Sequence, residues 1–470
     1  MTTDIKPRSN TLLVAAALGG MFIAMLDQTI VGTALPRITA ELGGSDLYTW
    51  VVTAYLLTST VTMPLYGRLS DQYGRKPLLL IGMTIFILGS ALCGLAQDMT
   101  QLIAFRAIQG LGAGALVPLS LAVALSLFPP TRGGSRVQGA IGGVMALSYL
   151  AGPFLGGLFT DHATWRWAFY VNVPIGLVLL AIVARNLPHQ PGTGRERPDY
   201  LGIAIFSLAI GALLIGLTEK GIDGNTWTSL PVLGPIGLAL VLLAAFVLVE
   251  RRAASPMMPM HLFAGRSYTL VNVTSFFTAF VMYTGVVFLP RYFQEALGED
   301  ATTSGLRIYP LMLGMLAGSW IMGVLMARTA VYKPWLVGAP ALMIVGTLLC
   351  LNLTVHTPGW LLIVWMSLIG LGMGPMLSGL TVAAQASVAP QYLGTASANL
   401  NFFRHIGGSL ALALAGTTYT SVLTEQAPLH GLPAAHASAA ALIIPALGVA
   451  GALIALVALI ALPNTRLALP

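Results

Sequence analysis

The sequence predicts an all-α membrane protein with fourteen transmembrane helices, and three observations carry that prediction. The chain has 470 residues, of which 56% are hydrophobic and only 8% charged. A soluble domain carries about 25% charge, so this chain cannot cover a water-facing surface and lipid must be its main solvent. Its apolar residues fall into runs long enough to cross a hydrocarbon core of about 30 Å. Its cations favour one side of that core.

The runs separate on hydropathy alone at about 12–35, 48–66, 77–96, 99–127, 137–158, 166–186, 199–219, 229–249, 267–290, 304–327, 334–354, 359–383, 394–422 and 437–462. The first follows Lys6 and Arg8, is too long for a signal-peptide core, and is expected to be retained as a helix. The second and third are joined by Gly67-Arg-Leu-Ser-Asp-Gln-Tyr-Gly-Arg-Lys76, which reads as a short charged loop. The stretch 199–250 is split only by Glu219 to Asn225, and the eleventh and twelfth runs only by Val355 to Pro358. A hydrophilic linker, Asn186 to Asp199, follows the sixth run, and a second break, Glu250 to Arg266, follows the eighth. The plan is therefore six, two, six. Residues 1–190 form a first six-helix bundle, 191–255 a linker with two extra helices outside the core, and 256–470 a second bundle. A faint echo relates the bundles: Gly67 begins a stretch ending Lys76-Pro77, and Gly323 begins one ending Lys333-Pro334.

With the N-terminus placed inside, the 23 Lys and Arg divide unevenly. Arg37, Arg166, Lys220, Arg291 and Arg307 fall outside, Arg106 and Arg404 fall within spans, and the remaining sixteen fall inside. That asymmetry puts both termini in the cytoplasm of a cell membrane, as an even number of spans requires. Trp50, Trp165, Trp167, Trp227 and Trp360 fall near outer edges, as an aromatic belt would. The net charge of +7 is thus a topology signal, not a nucleic-acid footprint. Cys93 and Cys350 both fall inside spans and read as packing residues, with no disulfide or metal framework. No phosphate-binding Gly-x-x-x-x-Gly-Lys-Ser/Thr loop occurs, so energy must come from an ion gradient. No nucleophile–base or metal-ligand spacing occurs inside the spans, which leaves a membrane enzyme or receptor only a remote alternative and points to no cofactor.

A charge inside the membrane costs about 2.5–3.5 kcal/mol on insertion scales and marks function by default. Three such residues stand out: Asp27, Arg106 and Arg404. Asp27 reads as the only carboxylate well inside a span. At 1.5 Å per residue, Asp27 and Arg106 reach similar depths on different helices. They are expected to face one cavity and to interact, because a buried base is the cheapest partner for a buried acid. Desolvation and a neighbouring cation act on such an acid in opposite directions, which suits a proton-binding role. Asn401 and Arg404, three residues apart, share a helix face and are candidates to line the cavity from the second bundle. Met145, Tyr283 and Phe402 are further lining candidates, with Met and aromatic side chains giving adaptable contact. Gly152, Pro153, Gly156 and Gly157 allow close helix approach and favour a kink in the fifth span.

Four segments resemble the fourteen-span drug–proton antiporters of the major facilitator superfamily. They are Asp27 with its flanks, Gly67 to Lys76, Arg106 to Gly114, and Gly152 to Gly157 followed by Trp165 to Pro174. The first departs from the usual motif in having Gly32-Thr33, which bears on substrate choice. The resemblance implies two pseudo-equivalent bundles with a site between them, and proton-driven export of hydrophobic, monocationic or neutral drugs. It implies proton coupling at Asp27 and Arg106. It also implies a cytoplasmic gate at Gly67, Asp71, Gly74, Arg75 and Lys76, the glycines permitting the tight loop. The partners implied are small hydrophobic substrates, protons and the bilayer. A dedicated exporter of one metabolite, lipid or siderophore is not separable on sequence, and neither is a periplasmic partner.

Overall fold

The computed structural model describes residues 7–127, 134–188, 199–220, 226–253, 256, 260–329, 331–389 and 392–463. In chain order, α1 (Pro7–Leu42), α2 (Trp50–Tyr73), α3 (Arg75–Leu95), α4 (Met99–Leu127) and α5 (Gly134–His162) run up and down. The short α6 (Trp167–Tyr170) and α7 (Asn172–Asn186) make the sixth span, and α8 (Tyr200–Glu219) and α9 (Leu230–Glu250) are the extra pair. The last six spans are α10 (Arg266–Arg291), α11 (Ala301–Arg307) with α12 (Tyr309–Thr329), α13 (Lys333–Leu349), α14 (Gly359–Ala386), α15 (Leu393–His430) and α16 (Leu432–Ile460). Among the described residues, 13 helical stretches are long and apolar enough to cross a membrane. Helix α2, between two of them, completes the fourteen. Because the helices alternate in direction, α1 begins and α16 ends at one end of the bundle, here called the near end.

The two sets of six pair in the same way. Helix α1 packs on α5 and α7, α2 on α4, and α3 on α4 and α7. Likewise α10 packs on α15 and α16, α12 on α14, and α13 on α14 and α16. This repetition is what the echo around Gly323 to Lys333 reflects. Close approach within the first set rests on α4. A Cβ at Gly112 would come within 2.4 Å of the Phe86 backbone nitrogen of α3, and one at Gly114 within 2.6 Å of the Ser59 carbonyl of α2. Small residues are what bring membrane helices this near. The extra pair lies on the flank, where α8 meets both α2 and α15. Phe206 of α8 stacks between Phe246 of α9 and Phe402 of α15, at centroid separations of 5.2 and 5.0 Å.

The two bundles meet at the far end. Gln294 Nε2 donates to the Thr33 carbonyl at 2.9 Å, and the Tyr309 hydroxyl to that of Leu150 at 2.9 Å. Asp161, near the end of α5, accepts from Ala301 N at 3.1 Å and Thr302 N at 2.6 Å. It therefore satisfies the free amides that open α11 in the other bundle. Asp300 caps the same helix by accepting from Thr303 N at 2.6 Å, and those hydrogen bonds hold its carboxyl below the usual range. Burial pushes Glu299 up, against the pull of its ion pair with Arg307.

Two expectations about element ends need correction. The segment from Gly67 to Lys76 is not a loop. Helix α2 runs through Tyr73, α3 starts at Arg75, and only Gly74 departs from helix, at φ 88° and ψ 155°. A Cβ at Gly67 would meet nothing within 4 Å, so that glycine serves no turn. Charge there marks where the helices leave the apolar layer, not where they stop. Nor is Arg291 in an outer loop. Helix α10 continues through Pro290 to Arg291, which is buried, and a π-helical turn, Tyr292–Ala296, carries it further. The linker 189–198 and residues 254–255 and 257–259 lie outside the described residues.

Candidate functional site

Asp27 and Arg106 meet directly. Arg106 Nη1 donates to Asp27 Oδ2 at 2.5 Å, and both side chains are 0% exposed. The other carboxylate oxygen accepts from Gln109 Nε2 and from Asn172 Nδ2, each at 2.9 Å. Each donor comes from a different turn or helix. Arg106 and Gln109 sit three apart on α4 and so share a face, and Nη1 of Arg106 also donates to Gln109 Oε1 at 2.8 Å. Asn172 opens α7 and also donates to Ser90 Oγ of α3 at 3.1 Å. Arg106 Nε donates to the Val51 carbonyl of α2 at 3.1 Å, and its Cζ lies 4.1 Å from the Tyr55 ring centroid. Five helices of the first bundle thus enclose one acid. Three N–H donors therefore converge on the two oxygens of Asp27, which as a carboxylate can accept all of them.

The expectation that the pair faces a cavity is corrected by this burial. Asp27 and Arg106 are sealed inside the first bundle. Two polar atoms nearby, Arg106 Nη2 and Asn172 Oδ1, are buried without a hydrogen-bond partner. An unmade bond of that kind costs about 1–3 kcal/mol, so the network has groups in reserve for a second arrangement. Gln109 and Asn172 were within reach of sequence reasoning through their motifs, but uncharged amides carry no insertion penalty of the size that singles out Asp27.

Asp27 is not the only acid drawn into the helices: Glu250, ending α9, is 2% exposed, and a further, half-buried acid is paired at the far end. Glu295, on the π-helical turn after α10, pairs with Arg291 at 2.7 Å and with His436 of α16 at 2.8 Å.

The glycines of α5 divide their work. A Cβ at Gly152 would come within 1.8 Å of Thr29 Oγ1, and one at Gly156 within 2.5 Å of the Ile30 carbonyl, both on α1. One at Gly157 would come within 2.4 Å of the Ala301 carbonyl of α11, across the interface. Pro153 sits inside an α5 that runs unbroken past it, and its carbonyl packs on Gly305 of α11.

Arg404 Nη1 donates to Asn401 Oδ1 at 3.1 Å, while Nη2 is buried without a partner. The phenols of Tyr149 (α5) and Tyr283 (α10) lie within electrostatic reach of it, so both bundles contribute to its surroundings. Met145 is half-buried and Tyr283 is buried. Phe402 is corrected: it is 2% exposed and faces α8 through Phe206, not a cavity. Arg75 Nη1 donates to the Ala122 carbonyl at 3.0 Å, tying the α2–α3 corner to α4. Lys76 is half-buried. The Asp71 side chain lies outside the described residues.

Twelve spans in two like-paired bundles, flanked by the extra pair α8 and α9, with a sealed acid–base pair in one bundle, define a membrane transport protein. The family described as Major Facilitator Superfamily matches residues 17–412. The chain is 36% identical over 447 residues to the multidrug transporter protein MdtP of Bacillus subtilis (strain 168), covering 94% of this chain and 82% of that protein. It is 36% identical over 425 residues to multidrug resistance protein 3 of the same organism, covering 90% and 82%. Among solved structures it resembles an auto-inhibited POT family peptide transporter (TM-score 0.69, 16% identity, 99% of each chain). It also resembles a bacterial homologue of the lysosomal transporter Spinster (TM-score 0.67, 16% identity, 97% and 96%). At that identity the structures speak for the fold. The chain belongs to the Major Facilitator Superfamily and is a transporter of small substrates, not an enzyme.

Proposed function

We propose that this transporter exports hydrophobic, monocationic or neutral compounds in exchange for protons, by alternating access between its two bundles. The observation that carries this reading is the buried Asp27, whose two oxygens accept only from side-chain donors, Arg106, Gln109 and Asn172, that a proton on the carboxyl would displace. The names of its relatives, multidrug transporters among them, support the substrate class. Protonation removes the charge that holds Arg106 and Gln109 and lets the network rearrange. Exchange of one monocation for one proton is electroneutral. Export of a neutral compound adds the membrane potential, about 2.3 kcal/mol per charge per 100 mV. With one acid at this site, dications are poor substrates.

The cation asymmetry supports a cell-membrane orientation with both termini cytoplasmic, which makes the far end the outer face. Arg404, Asn401, Tyr283 and Met145 are the proposed lining of a substrate path between the bundles, apart from the sealed Asp27. The α2–α3 corner from Gly67 to Lys76 is the proposed inner gate, with Arg75 holding α4.

The test uses everted membrane vesicles with an imposed pH gradient and a panel of monocationic, dicationic and neutral lipophilic compounds. Monocations and neutral compounds are expected to dissipate the gradient, and Asp27→Asn to abolish that dissipation. Dissipation that persists in the variant would remove Asp27 from coupling. No response to any compound would favour a dedicated exporter.

A further inference from the structure

A second group of charged side chains sits at the far end of the second bundle, apart from Asp27. Arg291, 3% exposed, ends α10, and Glu295 follows in the π-helical turn, a feature frequent at functional sites. Arg291 Nε donates to Glu295 Oε2 at 2.7 Å. His436 brings Nδ1 to the same oxygen at 2.8 Å and lies 2.6 Å from the Tyr419 hydroxyl of α15. That hydroxyl is itself 3.5 Å from Glu295 Oε2. The Arg291 guanidinium is held between two phenol rings, with Cζ 4.0 Å from the Tyr419 centroid and 4.2 Å from that of Tyr48. Tyr48 precedes α2 and so belongs to the first bundle. Its hydroxyl donates to the Val287 carbonyl of α10 at 3.3 Å. The titratable and charged groups facing Glu295 are therefore Arg291 on its own helix, His436 on α16, Tyr419 on α15 and Tyr48 from across the interface.

We propose that Glu295 and His436 form a second proton-binding site, and that a proton bound at His436 favours the closed far end through Arg291 and Tyr48. With the imidazole neutral, one guanidinium and one carboxylate balance. With it charged, two cations share one carboxylate oxygen, and the surplus positive charge falls to the ring faces around Arg291. Attraction of a cation to an aromatic face strengthens when water is excluded, and one of the two faces is supplied by the other bundle. Tyr48 must leave Arg291 when the far end opens, so protonation favours closure, and closure in turn favours protonation. The Glu295 and His436 side chains are 21% and 12% exposed, whereas Asp27 and Arg106 are 0% exposed. The far-end site thus meets water that Asp27 does not. Imidazole is also the side chain whose ordinary charge change falls between about pH 5 and 8.

This inference rests on alternating access, not on the identity of the exported compound, and its test needs no substrate. Spin labels at Ser45→Cys and Thr424→Cys, both exposed, report far-end separation by double electron–electron resonance in proteoliposomes. The native Cys93 and Cys350 are buried. The ratio of open to closed pairs is expected to rise from about pH 5.5 to 8 by fivefold or more, the size of an ordinary allosteric coupling of about 5- to 150-fold. His436→Gln, which cannot take the charge, should flatten that response. Tyr48→Leu should also flatten it with His436 intact, Tyr48→Phe should keep it, and so should Asp27→Asn. A full response in His436→Gln overturns the proposal, as does a flat response in the parent. So does a response lost in Asp27→Asn but kept in His436→Gln. If His436→Gln does not elute as a single folded species, the Tyr48→Leu and Tyr48→Phe pair decides by the same readout. A failure of the drug–proton reading would appear only in the vesicle assay.

Discussion

Gly152 and Gly157 lie five residues apart on α5, yet the same substitution at each is expected to do different things. A Cβ at Gly157 would sit 2.4 Å from the Ala301 carbonyl and 2.5 Å from Thr302 Cα. Ordinary carbon contacts lie at about 3.5–4.0 Å, so α5 and α11 must separate by about 1 Å to admit one methyl. The atoms met are backbone and cannot rotate aside. Overpacking of this kind costs about 1–3 kcal/mol, and here the cost falls only on the state in which the far end is closed. Gly157→Ala should therefore raise the open-to-closed ratio about 5- to 150-fold while leaving each bundle's stability unchanged. At Gly152 the methyl would meet Thr29 of α1, within the same bundle, so the cost falls on both states. Gly152→Ala should lower the melting temperature and leave the ratio alone. Far-end distances from the label pair at Ser45 and Thr424, with thermal unfolding followed in detergent, separate the two effects. Equal loss of stability in both variants, with no change of distance in Gly157→Ala, would refute the division of labour along α5.

Three further outcomes follow from the same reasoning. Gly74→Ala places a side chain at φ 88°, ψ 155°, a region nearly restricted to glycine. It should cost about 1–3 kcal/mol, whereas Gly67→Ala, helical and open, should change melting by little or raise it. Phe402→Ala should destabilise the fold by about 3–5 kcal/mol through loss of the α8 contact, lowering melting temperature and yield. The spectrum of exported compounds should be unaltered, and a changed spectrum would return Phe402 to the cavity. Asp161→Ala removes the acceptor for the first amides of α11, worth about 0.5–2 kcal/mol as a helix cap. It should shift the far end toward open by about 2- to 30-fold in the same distance measurement.

Much of the frame was legible because the bilayer imposes it. Helix length, cation placement and the cost of a lone charge mark spans and single out Asp27 and Arg106 without reference to neighbours. What the sequence hid depends on which helices meet. Gln109 and Asn172 complete the acceptor shell of Asp27, yet an amide in a membrane helix finds some partner almost anywhere. Phe402 sits on a helix that is apolar on several faces, and nothing in its spacing says which face meets α8. Arg291 and Glu295 were cut from their helix because the apolar run ends at Pro290 and charges follow. The helix nonetheless continues, because His436 and two phenol rings receive those charges from α15, α16 and the first bundle. Charge at Gly67 to Lys76 resembles a loop for the same reason, since hydropathy reports the edge of the lipid and not the end of a hydrogen-bond ladder.

The burial of Asp27 constrains how a proton can reach it. Its oxygens are occupied by Arg106, Gln109 and Asn172, and the pair is enclosed by α1, α2, α3, α4 and α7. A rotamer change of one side chain does not open this enclosure, because the donors come from two helices and are tied in turn to Val51 and Ser90. Access must come from movement of α1 or α7 against α4. Helix α1, however, is fastened to α5 by the close approach of Gly152 and Gly156 to Thr29 and Ile30. The next residue of α5, Gly157, is seated against α11 of the other bundle. Displacement of α1 is therefore mechanically linked to the closed far-end contact through three glycines within six residues. In the proposed exchange, proton transfer at Asp27 and the contact between bundles would then move the same helices, which is what alternating access requires of a coupling acid. On the proposed reading, the sealing of Asp27 ties its proton exchange to helix movement, because the carboxyl meets water only when α1 or α7 shifts against α4.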